Sequence, residues 1–429
     1  MAAPEVPAFL EGKRRGLIAR TRRLTQLTPR RVGLRPQDMP YAPSQNHFDA
    51  ANRRLREIAK RGDRQVARMN NGWDAADHQQ KLTSMAMVER VVDRSRRSFG
   101  MFFEIFSQRG SNFAPALAAH DAIAVDCYRA VRQAAPGILS KPLLKPLTYL
   151  EHGYSPATMR RGVQLARLLG DRNPFPVIRI PWDRDNPWQA VFLHEVAHNL
   201  QADMGLWHEN RQSVTRRMMS AGQDPQTVST YGRWHKEIFA DLAAALLGGP
   251  MAVAGMLTFL AHPRPRVVTY RPGSAHPTGY LRGFILAAML ERMNFPAEAN
   301  AARTIWRTFY DTRGGHRIPP ALIRSASNAI EAVVDEIAFQ PRRALGQRAL
   351  ADIIPFTHQH EVAIRRGALK LGAGRLPSEL APRHLVSASA LAMSSGANVT
   401  TLSDLVTTHL SSLAAAERER PLIDHAAVA

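Results

Sequence analysis

Cysteine is nearly absent from this sequence, which has Cys127 as its one cysteine in 429 residues. A single thiol excludes both an internal disulfide and a metal site built from several cysteine ligands. Its scarcity fits a reducing compartment. Residues 1–46 also lack an apolar core of signal-peptide length, so we expect no secretory export by that route and a cytoplasmic location.

Acidic residues and lysine are both scarce relative to arginine. The chain has 57 basic residues, of which seven are lysine, against 36 acidic ones, and its net charge is +21. This balance predicts attraction to acidic partners such as nucleic acid, anionic lipid or acidic protein, although no recognised nucleic-acid-binding module is visible. The basic segment from Phe48 to Met69 is typical of a solvated helix face, and a polyanion-binding face is the alternative.

An unbroken hydrophobic run of membrane-spanning length is missing as well. The uncharged stretch from Leu242 to Ala261 comes closest, but Gly248-Gly249-Pro250 divides it into pieces too short to cross a hydrocarbon core of about 30 Å. Its alanine and glycine residues also make it weakly hydrophobic. The sequence therefore predicts two core helices here rather than a membrane span.

The most informative feature that is present is an H-E-x-x-H motif, His194-Glu195-Val196-Ala197-His198. On a helix, residues four apart share a face and lie about 5–6 Å apart at Cβ, which lets two imidazoles reach one zinc ion. Glu195 can then hold a water molecule as general base. Asn186 and Pro187 suit the start of this helix, and Gly205 suits its end.

A zinc site of this kind needs a third protein ligand, and a second predicted helix supplies a candidate. The segment Trp234-His235-Lys236-Glu237-Ile238-Phe239-Ala240-Asp241 has two carboxylates four residues apart, hence on one helical face. Glu237 is the predicted third ligand, and Asp241 is predicted to accept the free ring N–H of a ligating histidine. Ser229 or Thr230 is the expected N-cap of this helix.

Together these motifs resemble the gluzincin branch of the zinc metallopeptidases. The E-I-F-A-D form of the second motif looks most like the family of CAAX prenyl endopeptidases and heat-shock membrane peptidases. Those proteins also carry a later His-Pro with an Arg six residues after the His, and this chain has His276-Pro277 and Arg282. The resemblance extends from roughly Phe175 to Met293, and the chain departs from the family in lacking its clear membrane spans.

The resemblance implies a mainly α fold with a zincin-like metallopeptidase core, a small edge-stranded β-sheet and one bound Zn²⁺. It also implies hydrolysis of peptide bonds in a protein or peptide substrate, with Glu195 and His276 as catalytic residues. His276, or alternatively Tyr231 as a wall of the cleft, would stabilise the developing oxyanion, and Arg282 would hold its loop or bind a substrate carbonyl. From the residues alone, His276 before Pro277 could equally cap a helix.

Composition and helical periodicity divide the chain into four segments: a basic Pro/Arg-rich tail (1–46), a helical N-terminal region (47–140), a zincin-like catalytic domain (141–296) and a helical C-terminal region (297–429). We expect the first to be a mobile tail or a strap over the domain. Within the catalytic segment we expect a helix from Ser155 to Leu169 and an edge strand at Val177-Ile178, between Pro176 and Pro181. Zincin folds that resemble this one use such an edge strand to pair with an extended peptide.

Three functions remain open from the sequence. The principal one is a zinc metalloendopeptidase. The second is a zincin-like protein without catalysis, which docks an acidic partner through its Arg-rich surface, although a structural zinc site has no need of a base such as Glu195. The third is a nucleic-acid-binding regulator that uses residues 1–68.

Overall fold

The structure is a computed structural model that describes residues 5–139, 143–153, 157–159, 173–183, 185–186, 189–310, 315 and 317–422. The protein is mainly helical, with 70% helix and one small three-stranded sheet among the described residues. This confirms the prediction of a mainly α fold with a small sheet. Backbone contacts divide the chain into unit 1 (Met1–Ala114, Arg161–Pro176 and Glu417–Glu419) and unit 2 (Pro115–Arg160, Val177–Ala416 and Arg420–Ala429).

Unit 1 is built mainly from the helices α1 (Val6–Thr21), α2 (Gln45–Asn71) and α3 (His78–Ser107). They share an apolar core formed by Leu10, Leu17, Val66, Met69, Met85, Val88 and Val92. Residues 6–21 are therefore a packed helix and not a mobile tail. The sequence conceals this because α1 buries few apolar residues, Leu10 and Leu17, two turns apart.

The sheet of unit 2 consists of β1 (Leu147–Leu150), β2 (Ala157–Met159) and β3 (Val177–Ile180), in the order β1-β3-β2. Strand β1 pairs with β3 in parallel, and β2 pairs with β3 antiparallel. Strand β2 is consequently an edge of the described sheet.

Two sequence predictions fail in this sheet. Val177–Ile180 was expected at an edge but forms the central strand, because Pro176 and Pro181 lie just outside the paired residues and interrupt no ladder. The helix expected from Ser155 to Leu169 falls mostly outside the described residues. Its described part, Ala157–Met159, is a strand, since pairing with β3 overrides the local helical pattern.

The described residues form thirteen further α-helices. They are α4 (Ala114–Ala134), α5 (Val191–Asp203), α6 (Leu206–Ser220), α7 (Pro225–Leu260), α8 (Arg264–Val267), α9 (Gly279–Arg292), α10 (Pro296–Tyr310), α11 (Pro320–Arg324), α12 (Ala326–Val334), α13 (Leu350–Ile353), α14 (His358–Gly372), α15 (Pro382–Ser394) and α16 (Val399–Ala416). Helix α7 is central, because α5, α6, α9 and α15 all pack against it.

Helix α7 begins earlier and runs further than the sequence predicts. Its N-cap is Asp224, whose side chain accepts hydrogen bonds from the backbone of Gln226 and Thr227, so neither Ser229 nor Thr230 caps it. The expected interruption is present, because Gly249 has φ 69° and ψ −156° and divides the helix into a longer first segment and a shorter second segment. A Cβ atom at Gly249 would overlap the ring of Phe356, so this break depends on glycine.

By length and composition, α7 is also the one described helix that could cross a membrane. However, 72% of its most apolar 18-residue window is buried inside the protein. Burial of this extent is what a helix in a protein core shows.

Helix α5 begins at Val191, one turn later than Asn186, and Pro187 lies outside the described residues. Its end agrees with the prediction. Gly205 follows the helix with a left-handed φ of 74° and separates α5 from α6.

Candidate metal centre

The two histidines of the H-E-x-x-H motif lie one turn apart on α5 and face α7. Their ring centroids are 4.7 Å apart. His194 is almost fully buried, whereas His198 is partly exposed. Burial follows from the apolar residues around them, since Leu193, Val196 and Ala197 are fully buried and fix α5 against the core. The motif is therefore held on a rigid element.

Glu237 on α7 brings a carboxylate to both histidines. Its Oε2 lies 3.5 Å from His194 Nε2 and 3.6 Å from His198 Nε2. Two ligand atoms at 2.0–2.1 Å from a tetrahedral zinc ion are about 3.4 Å apart, so these separations suit a shared metal. The group His194, His198 and Glu237 could therefore hold a metal ion.

Asp241 lies one turn after Glu237 and contacts the other side of the first imidazole. Its Oδ1 is 2.9 Å from His194 Nδ1, and its side chain is completely buried. In the neutral imidazole, the form that binds a metal, a hydrogen bond from Nδ1–H to this carboxylate leaves Nε2 unprotonated and directed toward Glu237. This arrangement fixes the tautomer and ring orientation that a histidine ligand needs.

Arg282 completes the buried polar cluster from the first turn of α9. Its Nε and Nη2 donate to the two carboxylate oxygens of Asp241 at 2.5 and 2.7 Å, and its Nη2 lies 3.3 Å from His194 Nδ1. Arg282 is almost completely buried, and Asp241 is the main acceptor of its hydrogen bonds. Its side chain still reaches the wall of the cavity described below.

Burial and neighbouring charges together set the proton affinity of these groups. Burial lowers the pKa of His194, but the carboxylates of Asp241 and Glu237 outweigh burial and raise that pKa to about 9. Burial raises the pKa of Glu237, yet the two histidines beside it hold that pKa well below its usual range. Likewise, Arg282 outweighs burial and keeps the pKa of Asp241 low. Both carboxylates are therefore ionised at neutral pH, the state in which a carboxylate binds a metal.

Glu195 lies beside this cluster, buried on α5 but lining the same cavity. Its backbone carbonyl accepts a hydrogen bond of 2.8 Å from Thr158 Oγ1 on strand β2. This bond attaches the edge strand to the motif helix. Glu195 and the three candidate metal ligands line the same cavity.

His276 approaches Glu237 from the loop before α9. Its Nε2 is 3.4 Å from Glu237 Oε2, and 66% of its side chain is exposed. It does not cap the helix, because Thr278 is the N-cap of α9 and accepts the hydrogen bond from Leu281 N. The capping alternative for His276 is thereby excluded.

One cavity of about 380 Å³ is lined by His194, Glu195, His198, Glu237, His276 and Arg282. Its walls also include residues that the sequence did not single out as site residues: Ala157, Thr158, Val191, Lys236 and Phe259. Trp207 lines it as well. Tyr231 does not, because it is fully buried and packs against Trp234 with ring centroids 5.5 Å apart.

Some of these additional residues had a signal in the sequence and some did not. Lys236 directly precedes a predicted ligand, so its proximity could have been foreseen. Phe259 lies beyond the break at Gly249, and the direction of a helix after such a break cannot be derived from the sequence.

Comparison with known proteins assigns no relative to this chain. No protein-family model matches it, and no curated protein or solved structure is significantly similar to it.

Proposed function

We propose that this protein is a zinc-dependent metalloendopeptidase with a zincin-like catalytic core of the gluzincin type. One observation carries the proposal: two histidines and a glutamate converge at metal-ligand spacing. Glu195 lines the same cavity as the ligands. A buried site that held zinc only for stability would have no need of an acid–base group at an accessible position.

In this proposal each polar residue has a distinct task. A zinc ion held by His194, His198 and Glu237 would polarise the scissile carbonyl as a Lewis acid and would acidify a water molecule. Glu195 takes the proton from that water and delivers it to the leaving nitrogen. His276 donates a hydrogen bond to the oxyanion that develops on the substrate. Asp241 and Arg282 hold His194 in the orientation that directs Nε2 at the metal.

Strand β2 is suited to bind an extended peptide. It pairs on one side with β3, and its residues Ala157 and Thr158 line the cavity. Strand β2 is an edge strand among the described residues, and an edge strand can hydrogen-bond an extended substrate strand. The peptide would thereby lie beside Glu195, to which Thr158 is already attached.

The test begins with metal content, measured by mass spectrometry on purified protein supplied with zinc. We expect one zinc per wild-type chain, and a large loss in His194→Ala and Glu237→Ala with retained circular dichroism. His208→Ala, which removes an exposed histidine that does not line the cavity, should keep its zinc. Zinc retained in all variants would place the metal elsewhere and refute the proposed ligand set.

Cleavage is then assayed on a mixed peptide library, with products identified by mass spectrometry. Glu195→Gln should bind zinc normally and lose about 10²–10⁴-fold in rate, which is the usual contribution of a general base. If zinc binds but even the wild type cleaves nothing, the alternative of a catalytically inactive zincin-like protein is favoured.

A second candidate function, polyanion binding, is favoured by one feature of unit 1. Helix α2 exposes a row of cations spaced three or four residues apart, and none of them has a carboxylate partner in the described part of the chain: Arg53, Arg56, Lys60, Arg64 and Arg68. The row is about 22 Å long at 1.5 Å per residue. Such a row matches the repeating charge of a nucleic acid backbone.

The second candidate is tested by measuring affinity for double-stranded DNA as a function of salt. Replacing Arg56 and Arg64 by glutamine should weaken binding and reduce the salt slope by about 2. The matched control replaces Arg366 and Arg375, two exposed arginines of unit 2. Equal effects of both pairs would mean that net charge, not α2, attracts the DNA.

A further inference from the structure

Lys236 is a cavity-lining cation that the proposed chemistry does not use. It precedes Glu237 on α7 and lines the same cavity as the candidate metal ligands. The residue is partly exposed and forms part of the cavity wall. Because Lys236 and Glu237 are adjacent on one helix, the backbone of Lys236 has a fixed position relative to the candidate metal ligand.

Two carboxylates of the site, those of Glu237 and Asp241, already have other partners. Glu237 lies against the two histidines, and Asp241 is shared between His194 and Arg282. Glu195 is the proposed base. Within the described residues no carboxylate forms an ion pair with Lys236. Its Nζ lies 5.5 Å from the centroid of the Trp207 ring. Lys236 is therefore a cation of the cavity wall that has no ion-pair partner among the described residues.

Trp207 restricts where that charge can lie. The indole of Trp207 also lines the cavity. Its cation–π contact with Lys236 attracts the flexible lysine side chain to the wall that Trp207 forms. Phe259 and Val191 add apolar surface to the same cavity. A ligand group that suits these walls has an aliphatic or aromatic part and one negative charge.

The geometry points to Lys236 as a specificity-determining residue, which selects peptides that place a carboxylate beside the scissile bond. The carboxylate comes from an aspartate or glutamate side chain or from the C-terminus of the peptide. This inference rests on the proposed function, because the peptide is positioned by the metal centre. It goes beyond that function by naming the substrate class as acidic.

The experiment measures binding and does not require turnover. The probes are fluorescent peptide hydroxamates, which anchor to the metal through the hydroxamate, and their affinities are read by fluorescence anisotropy on zinc-loaded Glu195→Gln protein. One pair of probes differs only by Glu against Gln in the residue next to the anchor. A second pair differs only by a C-terminal acid against an amide, which distinguishes the two sources of the carboxylate.

We expect an acidic probe to bind about ten-fold or more tightly than its neutral partner, the effect of one charge-assisted hydrogen bond. Lys236→Met retains the aliphatic stem against Trp207 and should abolish this preference without changing zinc content. Lys236→Arg should restore most of the preference. Lys60→Met removes one exposed cation that does not line the cavity and should leave the preference intact.

Each failure has its own signature. If zinc is bound and both members of each pair bind equally to the wild-type cavity, the inference about Lys236 is wrong while the metal site stands. A preference that persists in Lys236→Met refutes it in the same way. If no zinc is bound and no probe binds, the proposed function itself fails and the inference falls with it.

Discussion

Arg282 and Asp241 form a buried ion pair that joins helices α9 and α7 at the first histidine of the motif. Two hydrogen bonds, of 2.5 and 2.7 Å, connect the guanidinium to both oxygens of the carboxylate. The same carboxylate lies 2.9 Å from His194 Nδ1. The ion pair therefore determines how His194 is presented to a metal, although neither Arg282 nor Asp241 is a candidate ligand.

Arg282→Met should strongly destabilise the metal-free protein. The substitution leaves the Asp241 carboxylate buried without its main counter-charge, which typically costs about 3–5 kcal/mol in the free energy of unfolding. Urea denaturation monitored by circular dichroism measures the loss. The control is Arg22→Met, which breaks an ion pair with Asp63 whose side chains are 74% and 51% exposed. That change should cost no more than about 1 kcal/mol, and equal losses in the two variants would contradict our account of the buried pair.

His276→Ala should lower kcat by about 10²–10³-fold, the usual effect of removing an oxyanion donor, and leave zinc content unchanged. The reason is its position: its Nε2 is near Glu237, but its side chain is mostly exposed on the open side of the site. Steady-state kinetics and metal analysis on the same preparations check both parts. Tyr231→Phe is the comparison, because that hydroxyl is buried outside the cavity and has no hydrogen-bond partner in the described structure. A larger loss of kcat in Tyr231→Phe than in His276→Ala would reverse the assignment.

Gly249→Ala should destabilise the fold by about 2–4 kcal/mol, which combines left-handed backbone strain with overpacking. Gly249 has φ 69°, and an added Cβ would overlap the Phe356 ring. Gly100→Ala is the matched substitution, since that glycine lies inside α3 with nothing within 4 Å of an added Cβ. It should be neutral or stabilise by up to about 1 kcal/mol. Thermal unfolding measures the midpoint of each variant. Equal shifts of the midpoint in Gly249→Ala and Gly100→Ala would falsify this account of the break.

Removal of metal should lower the thermal stability of the wild type. A ligand present at about 1,000 times its Kd stabilises the native state by about 4 kcal/mol, and a chelator abolishes that contribution. Differential scanning calorimetry with and without chelator measures the difference in Tm. Glu237→Ala should show almost no difference, because its donor set is incomplete. A chelator effect of the same size in this variant would mean that the stabilising metal lies elsewhere.

Helical spacing made the centre of the site readable from the sequence. His194 and His198, and again Glu237 and Asp241, are four residues apart, so each pair shares a helical face whatever the rest of the fold does. The structure brings the donors of His194, His198 and Glu237 within metal-binding distance of one another. That the two helices pack on one another was an inference from motif order, not from any local signal.

Features that depend on pairing between distant segments were not readable. Val177–Ile180 has the composition of a strand, but its central position depends on partners that precede it in the chain. Ala157–Met159 has no strand signal of its own and becomes one by pairing with β3. Two helices also begin at residues other than those predicted: α7 has Asp224 as its N-cap, and α5 begins at Val191. Tertiary packing determines where a helix begins as much as the residue type does.

Helix α7 lines the cavity on both sides of its break at Gly249. Glu237 precedes the break, and Phe259 follows it. Phe259 is ten residues past the break, which is about 15 Å along the helix axis. A change of 10° in the bend angle would therefore move Phe259 by about 2–3 Å. The angle of this break therefore determines where Phe259 lies in the cavity wall. Residues that pack around the break without lining the cavity can thus change the width of the cavity and the side chains that fit into it.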